Sequence, residues 1–217
     1  MSCECEVLHR IANNLERYCF PCDSDNIPRN GVYFLFQRGE KSHQADRVVR
    51  VGTHTGDNQL QSRLKQHFNQ ENKDRSIFRK NIGRALLSKS NDTFLKHWEL
   101  DLTTRKAKDE YGPLIDFNYQ KAIEHQVSLY IRENFTFSTF PIASKEERLN
   151  IESKLISTLS WCEECKPSSD WLGNCSPKSK IVQSGLWLVN ELYKTPMTPS
   201  EIDSLSEKIK GCSAHKG

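Results

Sequence analysis

Two short apolar stretches with strand-like composition lie in the first quarter of the chain. Residues 31–37 read Gly-Val-Tyr-Phe-Leu-Phe-Gln, and residues 47–52 read Arg-Val-Val-Arg-Val-Gly. Aromatic and β-branched residues of this kind favour strands, and the polar residues 38–46 between the stretches suit a connecting loop. The pattern therefore predicts a β-hairpin.

Alternation along the hairpin assigns side chains to its two faces. In the first strand the Val and Phe side chains at alternate positions share one face, which leaves Tyr33 on the other. In the second strand, alternation places Val49 and Val51 together and Arg50 on the opposite face. On that face the two side chains can reach a cleft, although for each residue taken alone a sheet tyrosine or a surface arginine is the favoured interpretation.

Helical periodicity follows the hairpin. Leu60, Leu64 and Phe68 recur at steps of four and predict an amphipathic helix with a cap at Thr55–Asp57. The further predicted elements are a basic helix at 77–87, a strand at 94–100, a helix at 118–132, a strand at 135–142, a helix at 144–159, a helix from 177 to 193 and a last helix capped by Thr198.

These elements predict an α+β fold: a small, mainly antiparallel sheet flanked by helices. The length of 217 residues suits one core. We expect an N-terminal helical extension at 1–26, a main domain at 27–177 with an insertion near 91–140, and C-terminal helices at 178–217 packed on the same core.

Composition is that of a globular protein. The 36% hydrophobic content supplies a core, and no apolar run approaches the roughly 20 residues of a membrane span. Charges occupy the N-terminus where a secretory signal needs apolar residues. We therefore expect a cytoplasmic protein with no membrane partner. The net charge of +3 is too small to indicate a nucleic acid by itself.

Basic residues are concentrated between positions 63 and 89, where only Glu71 and Asp74 oppose them. Such clustering favours a polyanion at one surface, although a solvated helix face is the plainer interpretation. The residues expected to contact nucleic acid are Lys65, Arg79, Lys80 and Arg84.

Two CxxC pairs, Cys19/Cys22 and Cys162/Cys165, raise the question of a zinc site. The pairs lie far apart in sequence, two carboxylates separate the thiols of the second pair, and a cytosolic chain keeps thiols reduced. We therefore do not expect structural zinc at these pairs, and we expect disulfides still less.

Three side chains have positions suited to phosphodiester hydrolysis, which needs an activated water, positive charge and commonly a carboxylate-bound metal. Arg63 and His67 are four residues apart, so both lie on one helix face beside the apolar stripe. Glu152 falls within a later stripe, three residues before Leu155, and is turned inward. A carboxylate so placed is either a satisfied core residue or a ligand in a site.

An ordered set of motifs resembles that of the GIY-YIG nuclease family over residues 27–174. Its members are Gly31-Val-Tyr33, Arg50-Val-Gly52, Arg63 with His67 and Phe68, and Glu152. The resemblance implies a β-hairpin that carries the two triplets, a helix that carries Arg and His, and a later helix that carries a metal-binding Glu. The ordered series is more specific than any one triplet.

The resemblance also implies roles for these residues. Tyr33 looks like the group that helps to deprotonate the attacking water, and Glu152 like the ligand of one divalent cation, Mg²⁺ or Mn²⁺. Arg63 is similar to the family's arginine that stabilises the phosphorane. His67 is similar to the histidine that contacts the phosphate or assists proton transfer.

Two positions depart from the family pattern. Arg50 stands where a tyrosine is usual, although restriction enzymes of the family can carry a basic residue there. Asn174 is our choice for the family's final asparagine, but it lies farther from Glu152 than is usual, and Ser168 or Ser169 is closer to the expected position.

The resulting expectation is a metal-dependent DNA endonuclease of restriction or repair type. Two alternatives remain open. One is a binding module of the same fold that has lost catalysis, for which Arg50 is the main argument. The other is a zinc-stabilised structural protein in which Glu152 is a paired core residue. The oligomeric state is left open.

Overall fold

A computed structural model describes residues 2–22 and 26–213. A four-stranded antiparallel sheet with the order β1-β4-β2-β3 lies between two groups of helices, which confirms the predicted α+β class. The strands are β1 (Arg17–Tyr18), β2 (Gly31–Ser42), β3 (Ala45–Gly52) and β4 (Phe135–Pro141). The helices are α1 (Ser2–Asn14), α2 (Leu60–Phe68), α3 (Ile77–Lys89), α4 (Leu95–Trp98), α5 (Arg105–Tyr111), α6 (Phe117–Asn134), α7 (Lys145–Ser160), α8 (Ser179–Ser184) and α9 (Pro199–Ser213), with short 3₁₀ helices at Gly112–Leu114 and Leu172–Cys175.

The β2–β3 hairpin is longer than its apolar pattern predicts. Residues 38–46, expected to form a loop, are mostly paired strand, and only His43 and Gln44 form the turn. Both turn residues have positive φ, 49° and 59°. The prediction was wrong here because the end of the hairpin extends beyond the densest part of the core, where strand residues need not alternate in hydrophobicity.

A bulge in β3 changes which face its side chains occupy. Leu35 pairs with Arg50 and Phe36 pairs with Val48, so Val49 is an extra residue on β3. Val49 packs in one core cluster and Val51 in the other, which shows that the expected alternation of this strand was wrong. Arg50 lies opposite Leu35 and therefore on the same sheet face as Tyr33.

Each sheet face carries its own core. The face with Tyr33 and Leu35 packs on α2, α3 and α6. The face with Val32, Phe34 and Phe36 packs on α1, α7 and α9. The alternation predicted for β2 is therefore confirmed, and it positions Tyr33 under the helices that follow the hairpin.

Two predicted elements differ in the structure. The stretch 94–100, expected to be a strand, contains helix α4, because Trp98 is fully buried and its indole N–H donates to the Lys80 carbonyl. Gly83 leaves room for that indole, since a Cβ there would overlap it. The helix expected from 177 to 193 ends early at Gly185, whose φ of +68° forms a left-handed cap.

Helix caps were predicted with mixed success. Ser144 and Thr198 cap α7 and α9 as expected, each accepting from the N–H three residues on. The expected cap at Thr55–Asp57 was wrong, because α2 begins only at Leu60 and has no side-chain cap.

The segment 91–140, expected to contain an insertion, includes α6 and the sheet strand β4. The three-part division of the chain stays a prediction. Within the described residues, no helix has the length and apolar character that crossing a bilayer requires.

Candidate active site

Tyr33 and His67 form a buried hydrogen-bonded pair where β2 meets α2. Both side chains are fully buried, and the Tyr33 hydroxyl lies 2.8 Å from His67 Nε2. Gly52 pairs with Tyr33 on the adjacent strand, and a Cβ at that position would overlap the phenol. The glycine of the second triplet is therefore the residue that leaves room for the tyrosine of the first.

The other ring nitrogen of His67 contacts Ser76. The Ser76 hydroxyl accepts from the Arg79 N–H at 3.2 Å and lies 2.7 Å from His67 Nδ1. Burial, reinforced by the charges of Arg63, Arg50 and Arg79, lowers the pKa of His67 well below its usual value, so the ring is neutral at pH 7.

Glu152 projects from α7 towards the end of the hairpin. Its Oε1 accepts from the Thr53 backbone N–H at 3.0 Å. Burial raises the pKa of Glu152, and the nearby Arg50 guanidinium acts in the opposite direction. The inward orientation expected from the apolar stripe of α7 is what the structure shows.

Glu152 lines a cavity of about 360 Å³ at the edge strand β3. Arg50 shares this cavity; its Nη1 donates to the Trp187 carbonyl, and its guanidinium carbon is 5.5 Å from the Phe78 ring centroid. Among the described residues, Arg50 Nε and Asn81 Nδ2 are buried donors without a hydrogen-bond partner. The polar lining consists of Arg50, Asn81, Glu152, Asn190 and Glu191.

Arg63 lines a second cavity, of about 330 Å³, with Thr53, His54 and Gln66. Its Nη1 donates to Gln66 Oε1 at 3.0 Å and to the Arg75 carbonyl at 3.2 Å, so the side chain is held but half-buried. Thr53 connects the two cavities, because its N–H bonds Glu152 while the residue itself lines the second one.

The first cavity has the chemistry that a hard divalent cation needs. Mg²⁺ prefers oxygen ligands, and the Glu152 carboxylate, the Glu191 carboxylate and the Asn190 amide all line this cavity. Hydrogen bonds from Lys194 and Ser153 lower the pKa of Glu191, so it is ionised at pH 7. The unpaired donors of Arg50 and Asn81 would suit the phosphate oxygens that accompany such an ion.

Asn174 lies in a different place from Glu152's cavity. It is exposed, and its amide donates to the Ser168 and Ser169 carbonyls at 3.0 and 3.1 Å. Among the described asparagines, Asn81 and Asn190 line the cavity instead. Sequence reasoning overlooked both, because Asn81 lies in a helix read only for its charges and Asn190 in a segment expected to be helical.

The basic stretch does not form the surface that was expected of it. Three of its four proposed nucleic-acid contacts are buried and charge-paired: Arg79 with Glu124 at 3.0 Å, Lys80 with Asp74 at 3.1 Å, and Arg84 with Glu99 at 2.6 Å. Glu124 and Glu99 lie outside the basic stretch, so a local charge count could not show that they pair with Arg79 and Arg84. Lys65 is exposed.

The cysteines also need a correction. The two CxxC pairs do not form one group: Cys22 packs against one core cluster, and Cys165 belongs to the other. Cys165 instead lies with Cys5, His9 and His43 in a buried Cys₂His₂ cluster that could bind zinc. The expectation against structural zinc considered the wrong set of ligands.

The fold is α+β, with Tyr33 on a hairpin, His67 on the next helix and Glu152 on a later helix beside the end of the hairpin. The sequence model described as a GIY-YIG domain matches residues 6–215, so the chain belongs to the GIY-YIG family. Comparisons with curated proteins and with solved structures found no significant match.

Proposed function

We propose that the protein is a divalent-metal-dependent endonuclease that hydrolyses phosphodiester bonds in DNA. The observation that carries the proposal is the cavity at Glu152. It combines a carboxylate anchored by the Thr53 N–H with two buried, unpaired donors, Arg50 Nε and Asn81 Nδ2. Cation ligands and phosphate-binding groups therefore share one site, as hydrolysis of a phosphodiester requires.

Glu152 would hold the cation, with Glu191 and Asn190 as further oxygen donors in the same cavity. When bound, Mg²⁺ or Mn²⁺ supplies positive charge that polarises the phosphate and lowers the pKa of a bound water. The raised pKa of Glu152 fits a carboxylate whose buried charge is incompletely compensated by protein groups alone.

Tyr33 is our candidate for the proton acceptor. Its hydroxyl lies 2.8 Å from His67 Nε2, so the neutral imidazole can accept the phenolic proton. In the reaction, the water oxygen bonds to phosphorus as the bond to the leaving oxygen breaks. Tyr33 takes the water proton while its own phenolic proton passes to His67 Nε2, 2.8 Å away. Because Tyr33 is fully buried, we infer that neighbouring side chains shift when DNA binds.

Arg63 and Arg50 supply positive charge on the two sides of Thr53. Arg63 lines the second cavity, where its guanidinium can contact a phosphate oxygen of the same strand. Lys65 is exposed on α2, the helix that also carries Arg63, and adds a further positive charge to that helix. These residues would orient the DNA backbone and counter the charge of the phosphorane.

The test is cleavage of supercoiled plasmid and several linear DNAs with Mg²⁺ or Mn²⁺, with and without a chelator. We expect metal-dependent cleavage by the wild type and none by Glu152→Gln. Several DNAs are needed because a sequence-specific enzyme can lack a site in any one of them. Metal-independent cleavage, or equal cleavage by Glu152→Gln, would reject the assignment.

A second candidate is a DNA-binding module without catalysis. Two observations favour it: Arg50 stands where the family usually has tyrosine, and Tyr33 has no exposed surface. This candidate predicts salt-dependent DNA binding in gel-shift experiments and no cleavage on any DNA at any metal concentration.

A further inference from the structure

A cluster of thiols and imidazoles lies on the opposite side of the sheet from Tyr33. Helix α1 supplies Cys5 and His9, one turn apart; the β2–β3 turn supplies His43; and the loop after α7 supplies Cys165. One potential ligand atom from each residue lies within 4.8 Å of the other three. Three segments distant in sequence therefore place four metal-binding groups around one point.

We propose that Cys5, His9, His43 and Cys165 bind one zinc ion that holds the N-terminal helix against the hairpin. Two sulfurs and two imidazole nitrogens are a donor set that tetrahedral zinc favours over Mg²⁺ or Ca²⁺. The site is separate from the cavity of Glu152, so this proposal does not depend on the proposed nuclease activity.

The distances suit shared coordination of a metal. Cys5 Sγ lies 3.4 Å from Cys165 Sγ. His9 Nε2 lies 3.6 Å from Cys165 Sγ, and His9 Nδ1 lies 3.6 Å from Cys5 Sγ. Ordinary zinc bond lengths in a tetrahedron put two sulfurs about 3.8 Å apart and sulfur and nitrogen about 3.6 Å apart. A disulfide would need about 2 Å between the sulfurs. The cluster is thus too open for a disulfide and close to the size of a zinc site.

Charge and burial point to a structural ion. Cys5 and His9 are fully buried, and the side chain of His43 is 5% exposed. Two thiolates and two neutral imidazoles around Zn²⁺ give no net charge, which removes most of the cost of burying the ion. Four protein ligands leave no open position for substrate, as in structural zinc sites.

Neighbouring groups are arranged to orient the ligands. His9 Nδ1 lies 2.9 Å from the Cys5 carbonyl, and His43 Nδ1 lies 3.8 Å from a Glu164 carboxylate oxygen. These partners would leave Nε2 of each ring for zinc. The Val48 N–H, 3.1 Å from His9 Nε2, would give up that contact, and the Ser42 hydroxyl, 3.0 Å from Cys165 Sγ, can donate to the thiolate.

The turn that carries His43 supports a ligand role. A two-residue hairpin turn with positive φ at both positions normally takes Asn and Gly, yet here it holds His43 and Gln44. A side chain in an unfavourable backbone conformation needs a compensating interaction, and coordination by the His43 ring would provide one.

The experiment measures metal in untagged, full-length protein after dialysis against metal-free buffer. We expect about one zinc per chain, and a tetrahedral thiolate-bound cobalt spectrum after exchange with Co²⁺. Cys165→Ser and His43→Gln should each lose the zinc. The matched control is the double variant Cys19→Ser/Cys22→Ser, which removes the other CxxC pair and should keep it. Cys162→Ser should also keep it, although Cys162 Sγ lies 3.5 Å from His43 Nε2.

Several outcomes would overturn the proposal. They are wild-type protein that binds no zinc even when reconstituted, a mass that shows a Cys5–Cys165 disulfide, or zinc retained by Cys165→Ser and His43→Gln but lost from the control. If the ligand variants fail to fold, the cobalt spectrum of the wild type still tests the proposal. A spectrum typical of octahedral Co²⁺, or no Co²⁺ absorption, contradicts a Cys₂His₂ site.

Discussion

The Thr53 backbone N–H donates to the Glu152 carboxylate at 3.0 Å, across 99 residues of chain. The bond joins the end of the hairpin to α7. Thr53 is held in turn by its own hydroxyl, which donates to the Gly31 carbonyl at 2.7 Å. The start of the first triplet, the end of the second and the carboxylate are thereby fixed relative to one another before any ligand binds, which is the preorganisation that electrostatic catalysis requires.

Glu152→Gln should abolish metal-dependent cleavage and leave DNA binding nearly intact. The amide keeps the size of the side chain and can still accept from Thr53, but it loses the negative charge that holds a cation. Cleavage and gel-shift binding would be measured on the same DNA. Glu147→Gln is the matched control, since this half-buried residue lies on the same helix and pairs with Lys208. Loss of binding and folding together would instead identify Glu152 as a core residue.

Tyr33→Phe should lower the single-turnover cleavage rate by roughly 10² or more, the usual effect of losing a general base. The ring and its packing remain, so a thermal melt should show only the loss of one buried hydrogen bond, about 1 kcal/mol. Tyr130→Phe is the control, because it removes a phenol that accepts from Gln37 at 2.8 Å in the same core. If both variants cut as fast as wild type, Tyr33 is not the base.

Local periodicity predicted the orientation of three candidate side chains, Tyr33, His67 and Glu152. Alternation in β2 put Tyr33 on the face opposite Val32 and Phe34, and four-residue spacing in α2 put His67 beside the apolar stripe, which is where the structure has them. The stripe of α7 turned Glu152 inward for the same reason. Such patterns depend only on the geometry of one element, which the sequence specifies directly.

Periodicity failed where tertiary contacts decide the position. The bulge at Val49 shifts β3 by one residue, and the pairing of Arg79 with Glu124 depends on α3 and α6 lying side by side. The cluster of Cys5 with Cys165 likewise needs α1 to pack against the loop after α7. None of these contacts has a signature within a single segment, so a local reading of charges and CxxC spacing missed them.

Arg79→Gln and Lys65→Gln should have opposite consequences although both remove one charge from the basic stretch. Arg79 is fully buried against Glu124, so its loss leaves an unpaired carboxylate and should cost about 3–5 kcal/mol of unfolding free energy. Lys65 is exposed, so its variant should melt like wild type but bind DNA more weakly. The slope of the logarithm of the binding constant against the logarithm of the salt concentration should become shallower by about one. Urea unfolding and binding at two salt concentrations measure both effects. Equal stability of the two variants would contradict the buried pair.

Acidification should destabilise the protein partly through His67. Its pKa is lowered well below 6.5 in the folded state by burial, so the unfolded chain binds a proton first as the pH falls. The neutral ring therefore favours folding above pH 6.5, and this contribution is lost progressively as the pH drops from there towards the folded pKa, by up to about 1.4 kcal/mol per pH unit. Urea unfolding of wild type and His67→Gln at neutral and acidic pH isolates the effect. The variant should lose less stability, and parallel curves would show that His67 does not titrate as expected.

Asn190→Ala and Asn174→Ala should separate the two candidates for the family's final asparagine. Asn190 lines the cavity of Glu152, whereas Asn174 bonds the Ser168 and Ser169 carbonyls. Both side chains are exposed, so neither variant should change the melting temperature much, and the comparison reports on chemistry. The Asn190 amide can coordinate the cation through its oxygen or donate a hydrogen bond to the charged phosphate. Asn190→Ala loses that interaction and should slow single-turnover cleavage by roughly tenfold or more. Asn174→Ala should cut at the wild-type rate. The reverse order of the two rates would restore Asn174 to the site and would mean that the loop after α7 moves towards Glu152 when DNA binds.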